Sequence, residues 1–179
     1  METNKNTDIQ SFLTFKIGDE MFAVNVNKVI SILELVKITK IPRTPDYIRG
    51  IINHLGMVLP IVDIRVKFEL EPTDLNSGAC ILALEIEMDG NIIKIGALVD
   101  MVDEVLELNT KELLPPPNLG KSYRSDFLDG FFKTEQSVIM VMNIDKLFSE
   151  DEITVLNYSE MAIGEEEKET EVTGQIKPE

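Results

Sequence analysis

The sequence predicts an all-β protein with minor helices, built as two small five-stranded barrels. Three observations carry that prediction. Apolar residues alternate with a two-residue period along most of the chain. Two halves of the chain repeat the same pattern at an offset of 73 positions. Each half offers about five short strands, too few to cover both faces of an open sheet, so closure into a barrel is favoured.

The elements follow in order. Phe12, Leu13, Phe15 and Ile17 lead into Gly18-Asp19-Glu20, and Met21, Phe22, Val24 and Val26 follow, which spells a hairpin with a tight polar turn. Val26, Val29, Ile30 and Leu33 change to three- and four-residue spacing, the mark of a short helical turn. A strand is expected over Leu35 to Ile41, stopped by Pro42. Thr44-Pro45-Asp46 reads as the start of a brief helix that Gly50 ends. Val58 to Phe68 predicts a strong strand, followed by a turn over Thr73 to Gly78.

A second hairpin is expected from Cys80 to Val99 around Asp89-Gly90-Asn91. Another strand runs to Leu114 and stops at Pro115-Pro116-Pro117, with a loop over Asn118 to Asp126. Ser137 to Ile144 is the last strand. Ser149 and Glu152 form a capping box that opens a terminal helix with Ile153, Leu156, Tyr158 and Met161 on one face.

The repeat is specific. At the offset of 73, Val26, Val29, Leu33, Glu34, Leu35 and Pro42 fall on Val99, Val102, Leu106, Glu107, Leu108 and Pro115, and Ile32 falls on Val105. Seven positions further along, Gly50, Val58, Ile64 and Phe68 match Gly130, Val138, Ile144 and Phe148. The expected division is a domain over 9–162, with one barrel mainly in 9–70, a second mainly in 78–148 and a helix over 150–162. Residues 1–8 and 163–179 are expected to be flexible tails.

Composition excludes several functions. The chain has 179 residues and a net charge of −15, of which residues 160–179 hold −5. Such a surface repels phosphate backbones and anionic lipid, so neither nucleic acid nor direct membrane insertion is expected. No apolar run reaches the length of a membrane span, and Met1 to Asp8 lacks the apolar core of a signal peptide. With one cysteine, Cys80, the cytoplasm is the expected compartment.

Few residues point to chemistry. His54 is the only histidine and sits in a turn, without the companions a zinc site requires. Cys80 opens an apolar strand and reads as a small buried hydrophobe. Asp63 and Asp100 end apolar strands. Paired carboxylates of a small hydrolase are the alternative there, but strand-end aspartates more often accept bonds from turn amides. No phosphate loop, metal site or cofactor motif is present, so no cofactor and no catalytic activity are expected. What remains is apolar surface: Leu13, Val26, Val29, Ile32 and Val102 are hard to bury together in such small lobes. They are either core or the lining of a groove suited to an amphipathic helix.

Several segments resemble the CheW family of chemotaxis coupling proteins. Phe12-Leu13-Thr14-Phe15, Gly18-Asp19-Glu20 and Val26 to Ile32 are similar to its opening. Tyr47 to Asn53, followed by Pro60-Ile61-Val62-Asp63-Ile64-Arg65, matches its most recognisable stretch. Leu98 to Val102 and Val141 to Leu147 match its second half, so the likeness covers about residues 10 to 157.

The resemblance implies two SH3-like barrels and no catalysis. It implies two partners: the cytoplasmic tip of a methyl-accepting chemoreceptor and the CheW-like regulatory domain of the histidine kinase CheA. Barrel-to-barrel contacts build alternating rings in the family, recruited to receptor arrays at the inner membrane. The receptor helix would lie in the groove between barrels, on Leu13, Val26, Val29, Ile32 and Val102, with Gly50 and Asn53 in the flanking turn. The family usually has Asn-Leu-Arg-Gly where this chain has Asn53-His54-Leu55-Gly56, and an acid where Ser31 stands. Leu55 lacks the charge-assisted hydrogen bonds of an arginine. The alternatives are therefore a divergent adaptor for a non-chemotaxis kinase pathway and a regulator that binds kinase alone. No receiver domain is expected after Met161.

Overall fold

The computed structural model describes residues 8–118 and 126–157. Among these, ten strands form: β1 (Ile9–Ile17), β2 (Glu20–Asn25), β3 (Val29–Glu34), β4 (Ile48–His54), β5 (Met57–Asp63), β6 (Cys80–Met88), β7 (Asn91–Val99), β8 (Met101–Asn109), β9 (Leu128–Lys133) and β10 (Val138–Met142). A short helix α1 (Ile64–Lys67) follows β5, and helix α2 covers 150–157. Single 3-10 turns occupy Val26–Lys28, Thr110–Glu112 and Ile144–Lys146.

The strands form two five-stranded sheets, in the orders β8-β1-β2-β10-β9 and β3-β6-β7-β5-β4, which curl into two SH3-like barrels. Residues 29–99 thus make one barrel, inserted between β2 and β8 of the other. This corrects the division at 9–70 and 78–148. Alternation marks strands without naming their partners, and each barrel is completed by a non-local parallel pair, β5 with β7 and β2 with β10. The N-terminal hairpin completes the C-terminal strands.

The repeat survives at the level of register. Val141 pairs with Ala23 in one barrel, and Ile61 pairs with Gly96 in the other, the same pair displaced by 80 and 73. Phe12 opposite Leu106 corresponds to Ile81 opposite Leu33. The second hairpin is four residues longer, as Ala23 faces Thr14 whereas Gly96 faces Ala83.

Several expected boundaries move. Thr44-Pro45-Asp46 forms a turn, closed by Ile48 N–H donating to the Pro45 carbonyl at 2.9 Å, because Ile48 already begins β4. The strand expected over Val58 to Phe68 ends at Asp63, whose carboxylate accepts from Arg65 N–H and starts α1. Leu35 to Ile41 contributes only a bridge between Thr39 and Ile51. β4 runs through Gly50, where a brief helix is expected to end, and β9 runs through the matching Gly130. The capping box forms as expected: Ser149 N–H donates to Glu152 Oε2 at 2.8 Å, and Glu152 N–H to Ser149 Oγ at 3.4 Å. Ile153 and Leu156 are buried, while Tyr158, Met161 and the expected tails lie outside the described residues, except Asp8, whose carbonyl accepts from Thr110 N–H at 2.8 Å and whose carboxylate pairs with Lys111.

Each barrel has its own small core, around Ile61, Ile81 and Leu98 in the inserted barrel and around Phe12, Phe132 and Val141 in the other. A third, larger core joins them. Leu13, Phe15 and Ile17 of β1 meet Leu82, Leu84 and Ile86 of β6, with Ile153 and Leu156 of α2 added. Burying each such side chain stabilises by about 1.5–3 kcal/mol, so separating the barrels is costly.

Candidate functional site

The residues expected to line a groove do not share one fate. Leu13 is 4% exposed and lies in the joint core, so it supports the junction from below instead of lining it. Val26, Val29 and Val102 are half-buried and pack on that same core. Ile32 is 52% exposed.

Strand register explains this. Antiparallel partners share a face. Leu82 and Leu84 of β6 point into the joint core, and their partners on β3 are Ile32 and Val29. Residues three apart share a face here because a bulge between Val29 and Ser31 resets the alternation. On the other barrel, Phe15 and Leu13 point into the joint core, and their partners on β8 are Val102 and Val105, again across a bulge.

Two edge strands therefore present equivalent apolar pairs on the side where the barrels meet: Val29 and Ile32 from β3, and Val102 and Val105 from β8. Val105, 55% exposed, was not among the expected site residues. The repeat holds the signal that finds it, since Ile32 falls on Val105. Exposed Glu34, Asp103, Glu104 and Glu107 lie on the same two strands and give the strip an acidic setting.

The β4–β5 turn extends from the other edge strand of the same sheet, β4, whose Ile52 shares a core with Leu33 of β3. Gly50 is buried under the Thr39 carbonyl. Asn53 is exposed, and its Oδ1 accepts from Gly56 N–H at 3.1 Å, which shapes the turn. Leu55 at its tip is 88% exposed with φ +52, a backbone region that non-glycine residues rarely adopt. Ser31 Oγ is buried and has no hydrogen-bond partner among the described residues.

The polar candidates have structural partners. Asp63 is fully buried and accepts from Arg49 Nη1 at 2.7 Å, Thr73 Oγ1 at 2.8 Å, Thr73 N–H at 3.0 Å and Arg65 N–H at 3.1 Å. Asp100 is paired with Arg65 Nη1 at 2.8 Å. A cavity of about 1470 Å³ opens beside α1 and α2, lined by Lys67, Phe68, Phe148 and Glu152 among others, and neither aspartate nor His54 reaches it. Burial pushes the Cys80 thiol above its ordinary pKa, which disfavours a thiolate nucleophile. Among the described residues no cluster of metal-ligating side chains occurs, and no helix is long and apolar enough to cross a membrane.

The family model described as "CheW-like domain" matches residues 11–152. The Chemotaxis protein CheW of Klebsiella aerogenes is 29% identical over 148 residues, covering 83% of this chain and 87% of that protein. Protein FrzA of Myxococcus xanthus is 29% identical over 144 residues, covering 77% of this chain and 84% of FrzA. The crystal structure of the scaffolding protein TtCheW from Thermoanaerobacter tengcongensis aligns with a TM-score of 0.70 at 27% identity, over 85% of this chain and 96% of that one. With ten strands in two barrels of matching register, and a family match spanning nearly all of them, the chain belongs to the CheW family.

Proposed function

We propose that this chain couples chemoreceptors to the histidine kinase CheA as a non-catalytic adaptor at the cytoplasmic face of receptor arrays. The observation that carries the reading is the apolar strip at the barrel junction. Val29, Ile32, Val102 and Val105 expose apolar side chains in equivalent register on two edge strands, and a contiguous apolar strip with a polar margin marks an interaction site. Its natural occupant is the apolar face of a receptor-tip helix, with anchors at helical spacing. Holding receptor and kinase in one complex raises their effective concentration, and a shift of the receptor helix then biases the kinase.

The test is calorimetric titration of the protein with the CheA regulatory domain and, separately, with a receptor-tip coiled-coil peptide. Micromolar binding to both, about −8 kcal/mol each, supports the coupling role. Binding to the kinase domain alone supports the reading as a kinase-only regulator, which the exposed Leu55 in place of a family arginine favours. Binding to neither removes the coupling role.

A further inference from the structure

Among the described residues the chain passes between its barrels at two places, Val26–Lys28 on the way from β2 to β3 and Asp100 on the way from β7 to β8. Each passage carries a charged clasp that reaches both barrels.

At the second passage, Asp100 Oδ2 accepts from Arg65 Nη1 at 2.8 Å and from the backbone N–H of Gly18. Arg65 stands on α1 of the inserted barrel, and Gly18 in the β1–β2 turn of the other. The guanidinium is fixed from behind, as Arg65 Nε donates to the Glu71 carbonyl at 2.7 Å. At the first passage, Lys28 Nζ lies 2.7 Å from Asp145 Oδ2 and 3.0 Å from Oδ1. Asp145 follows β10 of the outer barrel, and its Oδ1 accepts at 2.7 Å from Glu87 N–H, in the hairpin of the inserted barrel.

The two clasps have equivalent partners and opposite polarity, with their passage residues one position apart, since the offset of 73 carries Asn27 onto Asp100. Arg65 and Asp145 are related by the offset of 80 that superposes β5 on β10. Gly18 and Glu87 are related by the offset of 69 that superposes β1 on β6. In one clasp the base follows the strand and the acid sits on the passage; in the other the roles are exchanged. In both, the acid takes the hairpin N–H from whichever side it stands on. Ion pairs whose side chains are 20–29% exposed add little to stability, so energy alone does not account for a pair at each passage. Position does: Lys28 immediately precedes Val29, and Asp100 lies two residues before Val102.

We infer that Arg65–Asp100 and Lys28–Asp145 are positioning residues that fix the angle between the barrels and so hold the β3 and β8 halves of the strip together as one binding surface. The inference rests on reading that strip as the receptor site. Preorganisation of this kind raises affinity without adding a contact.

The test uses the full chain in a Cys80→Ser background, with spin labels at Ile92→Cys and Val138→Cys, exposed positions on different barrels. Inter-label distances are measured by double electron–electron resonance, and affinity for the receptor-tip peptide by calorimetry. Asp100→Lys is expected to broaden the distance distribution. It is also expected to weaken peptide binding about tenfold, as when the competent arrangement falls to about a tenth of the population. Arg65→Asp combined with Asp100→Lys recreates the polarity of the other clasp and is expected to restore both. Arg65→Gln, which leaves the Asp100–Gly18 bond in place, gives a milder version of the same effect should Asp100→Lys fail to fold. A distribution unchanged in Asp100→Lys and Arg65→Gln overturns the inference, as does a double variant no better than Asp100→Lys. Failure of the wild-type protein to bind the peptide overturns the receptor-site reading instead, and the distances then decide alone whether the clasps set the angle.

Discussion

The carbonyl oxygen of Thr39 lies 2.1 Å from where a Cβ on Gly50 would stand, and Gly50 adopts φ +140. Thr39 crosses the outer edge of β4 there, exchanging hydrogen bonds of 2.8 and 2.9 Å with Ile51. The other barrel repeats this arrangement, with the Leu114 carbonyl 2.3 Å from the Cβ position of Gly130 and a bridge to Phe131. Neither glycine is a turn residue. Each admits a crossing backbone.

Gly50→Ala and Gly130→Ala are therefore expected to destabilise by about 3 kcal/mol each, combining backbone strain with a lost bridge. Gly56→Ala is the control. Its Cβ would meet nothing within 4 Å, so only its φ of +79 costs, by about 1 kcal/mol. Urea midpoints of the three variants check the order; equal shifts at positions 50 and 56 would contradict the close-approach account.

Asp63 anchors the segment between β5 and the second hairpin with four accepted hydrogen bonds at zero exposure. Asp63→Ala strands the Arg49 charge and the buried Thr73 donors and is expected to cost about 3–5 kcal/mol. Asp63→Asn, which keeps an acceptor, costs about half of that. The equivalent position tolerates the amide, since Asn143 accepts from Asp145 N–H and donates to Asp129, which stands where Arg49 does. Chemical denaturation of both variants tests this, and an Asn variant as damaged as the Ala variant would count against it.

The parts of this fold legible in the sequence are those set by local chemistry. Asp89 and Gly90 at φ 51 and 77 make the second hairpin turn, and Ser149 with Glu152 makes the helix start. Barrel membership was not legible, because β1 pairs with β8 across 85 to 100 residues and β2 with β10 across 118, and apolar alternation carries no partner label. Gly50 reads as a breaker because a glycine that admits a crossing chain looks in sequence like one that ends an element. Of the residues singled out as surplus apolar surface, Ile32 is exposed, while Val26, Val29 and Val102 are half-buried against the joint core. Leu13 was drawn into the core by its position opposite β6, and Val105 was visible only by carrying Ile32 through the repeat.

Tyr47 sits over Lys67, with the ammonium 4.8 Å from its ring centroid, and Lys67 is ion-paired with Glu152. Burial, and then the charge and hydrogen bonding of Glu152, push the Tyr47 phenol up to about 12 from the ordinary value of 10.0. A phenol held protonated in the folded state contributes stability that is fully present below pH 10 and lost as pH rises from about 10 to 12. Absorbance at 295 nm should show one of the three tyrosines titrating near the top of that window, abolished in Tyr47→Phe. Glu152→Gln should lower that titration only partly, because burial is the larger cause. On the acid side, burial raises the Glu152 carboxyl, but Lys67 and Ser149 outweigh it and hold it below 4.5. Its contribution is present above about pH 4.5 and disappears as pH falls through the lowered value, a slope absent in Glu152→Gln.

Ile32 and Val105 allow a cleaner test of the binding strip than Val29. Val29 is packed on the joint core, so Val29→Asp places a charge where it destabilises the fold as well as the surface. Ile32→Asp and Val105→Asp fall at positions more than half exposed and should change stability by no more than about 0.5 kcal/mol. Affinity for a receptor-tip helix should nonetheless fall at least about tenfold in each, the usual scale for a truncated anchor near an interface centre. Loss in one variant without the other would confine the contact to a single barrel.

Leu55 combines two costs that a surface turn has no structural reason to keep. Its side chain is 88% exposed, and its φ of +52 strains a branched residue by about 1–2 kcal/mol. Leu55→Asn relieves the strain and should raise the urea midpoint by the equivalent of about 0.5–1 kcal/mol. Leu55→Arg leaves stability unchanged but supplies a bidentate donor of the kind the family resemblance implies at this turn, and should tighten binding to a receptor-tip peptide. Should Leu55→Arg weaken that binding while Leu55→Asn abolishes it, the leucine itself is the anchor, and the partner it meets is apolar at that point.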